Sequence, residues 1–273
     1  MTVPIEPIAP PGALPHETLS KIADELAAAE RDRMQIQPIS SRHPAFDVAA
    51  AYIVQTTNIE RRIAAGAALV GQKVGLTNRA MQAQLGVNEP DFGRLLDDMQ
   101  VPAGAEVSLS DFIQPRIEPE IAFILRRDVV GPRAMRADVL SATEAVAPAL
   151  EIIDSRIADW RITLVDTVAD NASSARVVIG APRSVRDLEL IAMEGRLERD
   201  GEVVGAGRGA DVLGDPAAAV AWLVNKLAEF GQSLKAGEVV ISGALCASVP
   251  LGSGAAFKAE LDGVGSVTVR VMP

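Results

Sequence analysis

The sequence predicts an α+β protein in which helices come first and a mixed β region follows. The apolar residues Leu19, Ile22, Ala23 and Leu26 recur at helical spacing near the N-terminus and share one helix face. From residue 69 onward, the chain consists of short β-like runs separated by Gly, Pro and Asp. Because strands and helices do not alternate regularly, the order favours an α+β architecture over repeated βαβ units.

The start and stop signals of the helices are explicit in the sequence. Gly66 ends the second predicted helix, and Asp215, Pro216 and Gly231 are the N-cap, first residue and terminator of the last one. A Pro-rich extended arm is expected before the first helix, at residues 1–13. The helices are predicted over residues 14–33, 46–65, 78–85, 138–146 and 216–230.

The β region contains two strong turn signals, Asp200-Gly201 and Asp262-Gly263, each between two strand-like runs. Strands are predicted over residues 70–76, 117–125, 149–154, 190–199, 202–206, 238–241, 256–261 and 266–271. Residues 86–93 and 166–174 are expected to be loops. We expect an arm and helical region (1–68) and a mixed-β catalytic region (69–273) within one integrated domain.

Composition limits the classes of function. Acidic residues outnumber basic ones 36 to 26, which argues against the basic patch of a nucleic-acid-binding protein. The single cysteine, Cys246, excludes an intramolecular disulfide framework, and with only His16 and His43 a histidine-rich zinc site is improbable. There is no signal-peptide pattern and no apolar run of membrane-spanning length. We therefore expect a cytoplasmic protein with no nucleic-acid or membrane partner.

Two carboxylates at strand spacing are the most informative feature. Glu118 and Glu120 alternate with apolar residues and therefore project from the same face of the strand predicted over 117–125. Like charges on neighbouring side chains repel each other in an apolar context, and a bound hard divalent cation relieves that repulsion. Glu151, inside another apolar strand, is the best candidate for a third ligand; the alternative is that it faces solvent on an edge strand.

Other polar residues allow both ordinary and functional interpretations. Lys73, inside a predicted strand, is either an exposed edge charge or a buried cation for substrate oxyanions, or else an acid–base group with a lowered pKa. Asp91 lies in a Pro-Asp-Phe-Gly turn, where most aspartates only bond the local backbone. The polar run 166–174 is by itself a loop. The glycines of 205–214 do not follow the strand–turn–helix pattern of a phosphate-binding loop.

Ten motifs together make the chain resemble the 2-hydroxypenta-2,4-dienoate (2-keto-4-pentenoate) hydratases of aromatic meta-cleavage pathways, within the fumarylacetoacetate hydrolase superfamily. The resemblance covers nearly all of the chain after about residue 20. Its motifs are Lys73-Val74-Gly75-Leu76-Thr77, Leu85-Gly86-Val87, Pro90-Asp91-Phe92-Gly93, Pro115-Arg116-Ile117-Glu118-Pro119-Glu120-Ile121-Ala122, Pro148-Ala149-Leu150-Glu151, Asp154-Ser155-Arg156-Ile157, Asp159-Trp160, residues 166–173, Ala221-Trp222-Leu223 and Ser242-Gly243-Ala244-Leu245.

The resemblance implies a β-roll or barrel-like core of the fumarylacetoacetate hydrolase type, and a metal-dependent hydro-lyase that makes 4-hydroxy-2-oxopentanoate. It also implies a homo-oligomer, a pentamer or decamer, that associates with a decarboxylase or a downstream aldolase. The implied site has catalytic Lys73 and Asp91; Mg²⁺ or Mn²⁺ ligands Glu118, Glu120 and Glu151; and substrate-binding residues Leu76, Asp170, Asn171, Ser173 and Ser242.

Several alternatives stay open at this point. The sister enzyme 4-oxalocrotonate decarboxylase shares most motifs but tends to carry an apolar residue in place of Asp91. A seven-carbon dienedioate hydratase would need a partner for a second carboxylate, with Arg94, Arg161 and Arg176 as candidates. Carbon–carbon hydrolases of the superfamily usually rely on histidine, which is absent after residue 43. A non-catalytic metal-binding protein is the alternative of another class.

Overall fold

The predicted order of helices and strands is present in the computed structural model of the chain, which describes residues 14–84 and 86–273. The arm expected at 1–13 and Leu85, the last residue of the helix predicted over 78–85, lie outside the described residues. Within the described ranges the chain forms seven α-helices. They are α1 (His16–Asp32), α2 (Ile39–Arg42), α3 (Val48–Ala64), α4 (Arg79–Gln84), α5 (Arg136–Ala142), α6 (Leu164–Ala169) and α7 (Pro216–Glu229).

The strands of the described residues form two sheets. They are β1 (Leu69–Gly75), β2 (Asp91–Leu96), β3 (Gln100–Val101), β4 (Glu106–Ser108), β5 (Arg116–Leu125), β6 (Thr143–Ile153), β7 (Ser174–Ile179), β8 (Arg183–Ser184), β9 (Glu194–Arg199), β10 (Glu202–Arg208), β11 (Val239–Ala244), β12 (Val249–Pro250), β13 (Ala256–Leu261) and β14 (Gly265–Met272).

The sequence predicts element ends correctly where short-range hydrogen bonds or turn residues determine them. The side chain of Asp215 accepts a hydrogen bond from the backbone N–H of Ala217 at 2.9 Å, and α7 begins at Pro216. Asp200 and Gly201 both adopt positive φ, 53° and 87°, between the antiparallel strands β9 and β10. The N-cap and the hairpin are therefore confirmed.

Three predicted boundaries were wrong where pairing with distant strands decides the structure. Residues 86–93 were expected to be a loop, but β2 begins at Asp91 because this segment pairs antiparallel with β1. The helix expected over 138–146 ends at Ala142, and the apolar run from Thr143 enters β6, where it pairs with β5. The loop expected over 166–174 includes the end of α6 and the first residue of β7.

The large sheet brings distant parts of the chain together in the order β2-β1-β11-β5-β6-β7-β3, with β12 beside β5 and β8 beside β6. The smaller sheet has the order β10-β9-β13-β14-β4. Apolar side chains of both sheets share one core, in which Ile117 and Ile152 join Leu197, Phe257 and Val269. This arrangement is a mixed, curled β core, as the family resemblance implies.

The helices pack on residues of the large sheet. Ile22 of α1 and Val54 of α3 belong to the same buried cluster as Phe92 of β2, Phe123 of β5 and Val240 of β11. This helical layer supports the strands β2, β1, β11 and β5, which carry most of the polar residues singled out above. Among the described residues, no helix is long and apolar enough to cross a bilayer.

Candidate active site

The three glutamates predicted as metal ligands are brought together by strand register. Glu118 and Glu120 lie two residues apart on β5, and Glu151 of β6 is the direct antiparallel partner of Glu118. Directly paired residues on one sheet face have Cβ atoms about 5 Å apart. One carboxylate oxygen from each glutamate lies within 4.8 Å of the others.

This cluster fits a hard divalent cation. Neither carboxylate oxygen of the fully buried Glu151 has a hydrogen-bond partner among the described residues, so both are available as ligands. Glu120 accepts a hydrogen bond from the backbone N–H of Gly243 at 2.7 Å. Burial, and then the charge of Glu151, raises the pKa of Glu118 to about 7 and that of Glu120 well above its ordinary range. A cation bound by these oxygens would offset the repulsion and the burial penalty of the ionised carboxylates.

Lys73 of β1 lies beside the glutamates. Its ammonium is 3.3 Å from Oε2 of Glu151, outside hydrogen-bond geometry, and donates a hydrogen bond to the backbone carbonyl of Ala172 at 2.9 Å. Burial lowers the pKa of Lys73, but the charges of Glu151 and Asp91 outweigh burial and hold the pKa above its usual value. Of the interpretations left open, the environment favours a buried cation over an amine with a lowered pKa.

Asp91 is the buried first residue of β2, directly opposite Gly75. Thr167 donates its hydroxyl to Oδ2 of Asp91 at 3.2 Å, and Oδ1 has no hydrogen-bond partner among the described residues. Burial raises the pKa of Asp91, although Lys73 and the bond from Thr167 lower it. Asp91 is therefore a carboxyl group with one free oxygen and an increased tendency to hold a proton.

Unusual backbone conformations surround this group of side chains. Leu76, at the end of β1, has φ 54°, and residues 171–173 have φ between 51° and 55°. Non-glycine residues rarely adopt such angles, and they concentrate at functional sites. The buried hydroxyls of Ser173 and of Ser242 on β11 have no hydrogen-bond partner among the described residues. Leu76, Ser173 and Ser242, three of the predicted substrate-binding residues, lie on segments next to Lys73 and Glu120.

Asp170 and Asn171, also predicted to bind substrate, bond instead to protein groups. Both carboxylate oxygens of Asp170 accept hydrogen bonds from Arg156, from its backbone N–H and its guanidinium. The carboxamide of Asn171 accepts a bond from the backbone N–H of Arg94 at 2.7 Å and donates one to its carbonyl at 2.9 Å. The structure gives these two side chains a supporting position.

Sequence reasoning missed two supporting residues. Thr167 was part of a polar run with no role assigned to its hydroxyl. Gln55, buried on α3, donates bonds of 2.9 Å to the carbonyls of Phe92 and Val168, the residues that follow Asp91 and Thr167. A buried glutamine within an apolar helix face was the only available signal, and it does not identify its partners.

The three arginines considered for a second substrate carboxylate bond elsewhere. The Arg94 guanidinium donates to the side chains of Gln72 and Gln232. Arg161 donates to the side chain of Gln37, and Arg176 donates to the backbone carbonyl of Ala175. None of these bonds reaches the carboxylate cluster.

Curated proteins are similar to this chain over most of its length. The chain is 44% identical over 248 residues to a 2-hydroxyhexa-2,4-dienoate hydratase of Comamonas testosteroni, covering 90% of this chain and 94% of the relative. It is 45% identical over 246 residues to a 2-keto-4-pentenoate hydratase of Paraburkholderia xenovorans (strain LB400), covering 90% and 91%.

A solved structure is similar over nearly the whole chain. It is a 4-oxalocrotonate decarboxylase of Pseudomonas putida G7 complexed with magnesium and adipate. The TM-score is 0.92 at 37% identity, with 95% of this chain and 99% of that chain covered. The family model described as fumarylacetoacetate (FAA) hydrolase C-terminal matches residues 65–272, which include every residue of the site predicted from the sequence. The chain therefore belongs to the fumarylacetoacetate hydrolase family.

Proposed function

We propose that the chain is a metal-dependent hydro-lyase of aromatic meta-cleavage degradation. It adds water to 2-hydroxypenta-2,4-dienoate, or a close 2-hydroxy-2,4-dienoate, and forms 4-hydroxy-2-oxopentanoate. The observation that carries the proposal is Asp91, a buried carboxyl group with one oxygen held by Thr167 and the other unpaired, in the same site as Lys73 and the glutamates. Relatives at 44% and 45% identity are named for this reaction type.

Glu118, Glu120 and Glu151 would hold Mg²⁺ or Mn²⁺. The bound cation supplies Lewis-acid stabilisation of negative charge on the oxygens of a 2-hydroxy or 2-oxo acid. The three carboxylates lie together on one face of the sheet, next to Lys73, and would hold the cation there. The surrounding burial keeps bulk water away, which strengthens every charge interaction in the site.

Lys73 and Asp91 have separate roles in the proposed reaction. Lys73 attracts the substrate carboxylate and holds negative charge near its C1 and C2 oxygens. The enol loses its hydroxyl proton while C5 gains one, and water then adds its oxygen to C4 and a hydrogen to C3. Asp91 holds and moves a proton in these steps, either by delivering it to carbon or by accepting it from the attacking water.

The experiment is an ultraviolet assay of the purified protein with Mg²⁺. Loss of the dienol absorbance of 2-hydroxypenta-2,4-dienoate, together with 4-hydroxy-2-oxopentanoate as product, supports the proposal. Treatment with a chelator removes this activity and added Mg²⁺ restores it. Failure to consume any 2-hydroxydienoate when the metal is bound would refute the proposal.

A second candidate is the decarboxylation of 4-oxalocrotonate. The observation that favours it is the TM-score of 0.92 to the decarboxylase of Pseudomonas putida G7. Asp91 argues for the hydratase, because a decarboxylation needs no group at this position to activate water. Release of carbon dioxide from 4-oxalocrotonate, without consumption of 2-hydroxypenta-2,4-dienoate, would favour this candidate.

We also propose that the protein is a cytoplasmic homo-oligomer, a pentamer or decamer, and that it associates with a decarboxylase or a downstream aldolase. This proposal follows from the family resemblance and from the similarity to the decarboxylase. Light scattering coupled to size-exclusion chromatography measures the subunit number directly, and co-elution with the purified partner enzyme tests the association.

A further inference from the structure

The Lys73 ammonium lies close to two acceptors, the backbone carbonyl of Ala172 and the carboxylate of Glu151. Lys73 donates its hydrogen bond to this carbonyl at 2.9 Å, although the two residues are 99 positions apart. The ammonium is also 3.3 Å from Oε2 of Glu151 without hydrogen-bonding to it. Because an ammonium and a carboxylate normally form a short charge-assisted bond, the carbonyl competes with Glu151 for Lys73.

The segment that carries this carbonyl needs support from outside itself. Asn171, Ala172 and Ser173 have φ values of 53°, 51° and 55° in succession. Side chains with a Cβ atom disfavour this left-handed region, so three such residues in a row persist only when their surroundings fix them. We call residues 170–174 the Lys73 support loop.

Arg156 and the backbone of Asp154 tie the two ends of the support loop to the protein interior. Its guanidinium bonds to the carboxylate of Asp170 and, at 2.5 Å, to the carbonyl of Asp170, while its backbone N–H bonds to the carboxylate at 2.9 Å. At the other end, the backbone N–H of Asp154 donates to the carbonyl of Ser173 at 2.8 Å. Arg156 and Asp170 are 4% and 3% exposed, so this pair is shielded from water.

Asn171 ties the middle of the support loop to β2. Its carboxamide forms two bonds with the backbone of Arg94, at 2.7 and 2.9 Å. The fit is close, since a Cβ on Gly93 would lie 2.4 Å from the carbonyl oxygen of Asn171. The loop therefore cannot shift without breaking contacts to the strand that also carries Asp91.

We infer that Asn171 and the Arg156–Asp170 pair are positioning residues that keep Lys73 from pairing with Glu151. By holding the Ala172 carbonyl under Lys73, they leave both oxygens of Glu151 free for the cation. This inference rests on the metal site of the proposed function. It gives Asp170 and Asn171 a role that needs no contact with substrate.

The test measures Mg²⁺ binding by isothermal titration calorimetry without substrate. In Asn171→Ala the support loop is released, Lys73 pairs with Glu151, and the dissociation constant for Mg²⁺ rises about 10-fold, as for other residues that orient metal ligands. The same substitution in a Lys73→Met background has little effect, because no ammonium is left to compete. General disorder of the site would weaken binding equally in both backgrounds.

Asn225→Ala is a matched control. The carboxamide of Asn225 makes the same pair of bonds, at 2.7 and 3.0 Å, with the backbone of Ala134, away from the carboxylate cluster. We expect its dissociation constant for Mg²⁺ to equal that of the unmodified protein. Arg156→Lys is a second loop variant, which keeps a cation beside Asp170 and shows a smaller loss in the same direction.

Three results would overturn the inference. The first is unchanged Mg²⁺ binding in both loop variants, and the second is an equal loss with and without Lys73. The third is a loss in Asn225→Ala as large as that in Asn171→Ala. Because the titration contains no substrate, an unmodified protein that binds Mg²⁺ and fails to hydrate dienoates would refute the proposed function alone.

Discussion

Thr167 donates its hydroxyl to Oδ2 of Asp91 at 3.2 Å, which joins the end of α6 to the start of β2 across 76 positions of sequence. The carboxamide of Gln55 donates hydrogen bonds to the backbone carbonyls of Phe92, which follows Asp91, and of Val168, which follows Thr167. Asp91 is therefore fixed through its own carboxylate and through the backbone beside it. Its Oδ1 has no hydrogen-bond partner among the described residues, and it is the atom to which the proposed function assigns the proton.

Asp91→Asn keeps the size of the side chain but removes the carboxyl group that holds and moves the proton in the proposed function. We expect the turnover of 2-hydroxypenta-2,4-dienoate to fall by about 10²-fold or more, the usual contribution of a positioned acid–base group. The dissociation constant for Mg²⁺ should change little, because among the described residues no hydrogen bond joins Asp91 to the glutamates. Steady-state kinetics and calorimetry measure the two quantities.

Thr167→Val provides the comparison, because it removes one hydrogen bond and leaves the carboxyl group in place. We expect a smaller loss of turnover, and an upward shift of the limb of the pH–rate profile that reports Asp91, since the bond from Thr167 lowers the pKa of Asp91. Full turnover by Asp91→Asn with Mg²⁺ bound would remove Asp91 from the proposed chemistry.

Glu151→Gln tests the metal centre, and the same strand offers a control. Gln keeps the shape but removes the charge that makes the buried side chain a ligand for a hard cation. We expect the dissociation constant for Mg²⁺ to rise at least 10-fold and hydration to be lost with it. Glu144→Gln changes the exposed glutamate near the other end of β6 and should bind Mg²⁺ normally. Equal binding by the two variants would show that Glu151 is not a ligand.

The alternation of glutamates could be interpreted from the sequence, but their pairing could not. Two-residue spacing placed Glu118 and Glu120 on one strand face, and an apolar run identified Glu151 as exceptional. The register that sets Glu118 opposite Glu151 depends on how β5 and β6 align, and an isolated strand does not specify it. The family resemblance supplied that link.

The missed elements share the same cause. Pro90 and Gly93 made Asp91 look like a turn residue, whereas the partner strand β1 draws it into the sheet. Similarly, Asn171 looks like an ordinary loop residue in the sequence. Its bonds to Arg94 form only because β2 and the support loop meet in the fold. Non-local contacts override local preference at these positions.

Mg²⁺ binding should strengthen as the pH rises, because the cation displaces protons from the glutamates. Burial and Glu151 raise the pKa of Glu118 to about 7, so much of this carboxyl is protonated at pH 6 and little at pH 8. Displacing one such proton makes binding about 10-fold tighter at pH 8 than at pH 6. Calorimetry in buffers of different ionisation enthalpy also counts the protons released.

The same pKa shift fixes the direction of an effect on folding. Because the pKa of Glu118 is higher in the fold than its unfolded value, its contribution to stability is complete below about pH 4.5 and disappears as the pH rises through about 7. Glu118→Gln should therefore reduce the decrease in melting temperature of the metal-free protein between pH 5 and pH 8. A Mg²⁺ affinity independent of pH would contradict both expectations.

Two glycines next to the site should separate proton transfer from metal binding. A Cβ on Gly75 would lie 2.2 Å from Oδ1 of Asp91, whereas a Cβ on Gly243 would lie 2.3 Å from the hydroxyl of Thr77. Gly75→Ala therefore displaces Asp91 and should lower turnover at least 10-fold, with a smaller effect on Mg²⁺ binding because the same Cβ would lie 3.2 Å from Nζ of Lys73. Gly243→Ala, at φ 114°, should move the N–H that bonds to Glu120 and weaken Mg²⁺ binding. Calorimetry measures the Mg²⁺ affinity of both variants, and steady-state kinetics measures their turnover. A Gly75→Ala enzyme with full turnover would show that the reaction tolerates displacement of the Asp91 carboxylate.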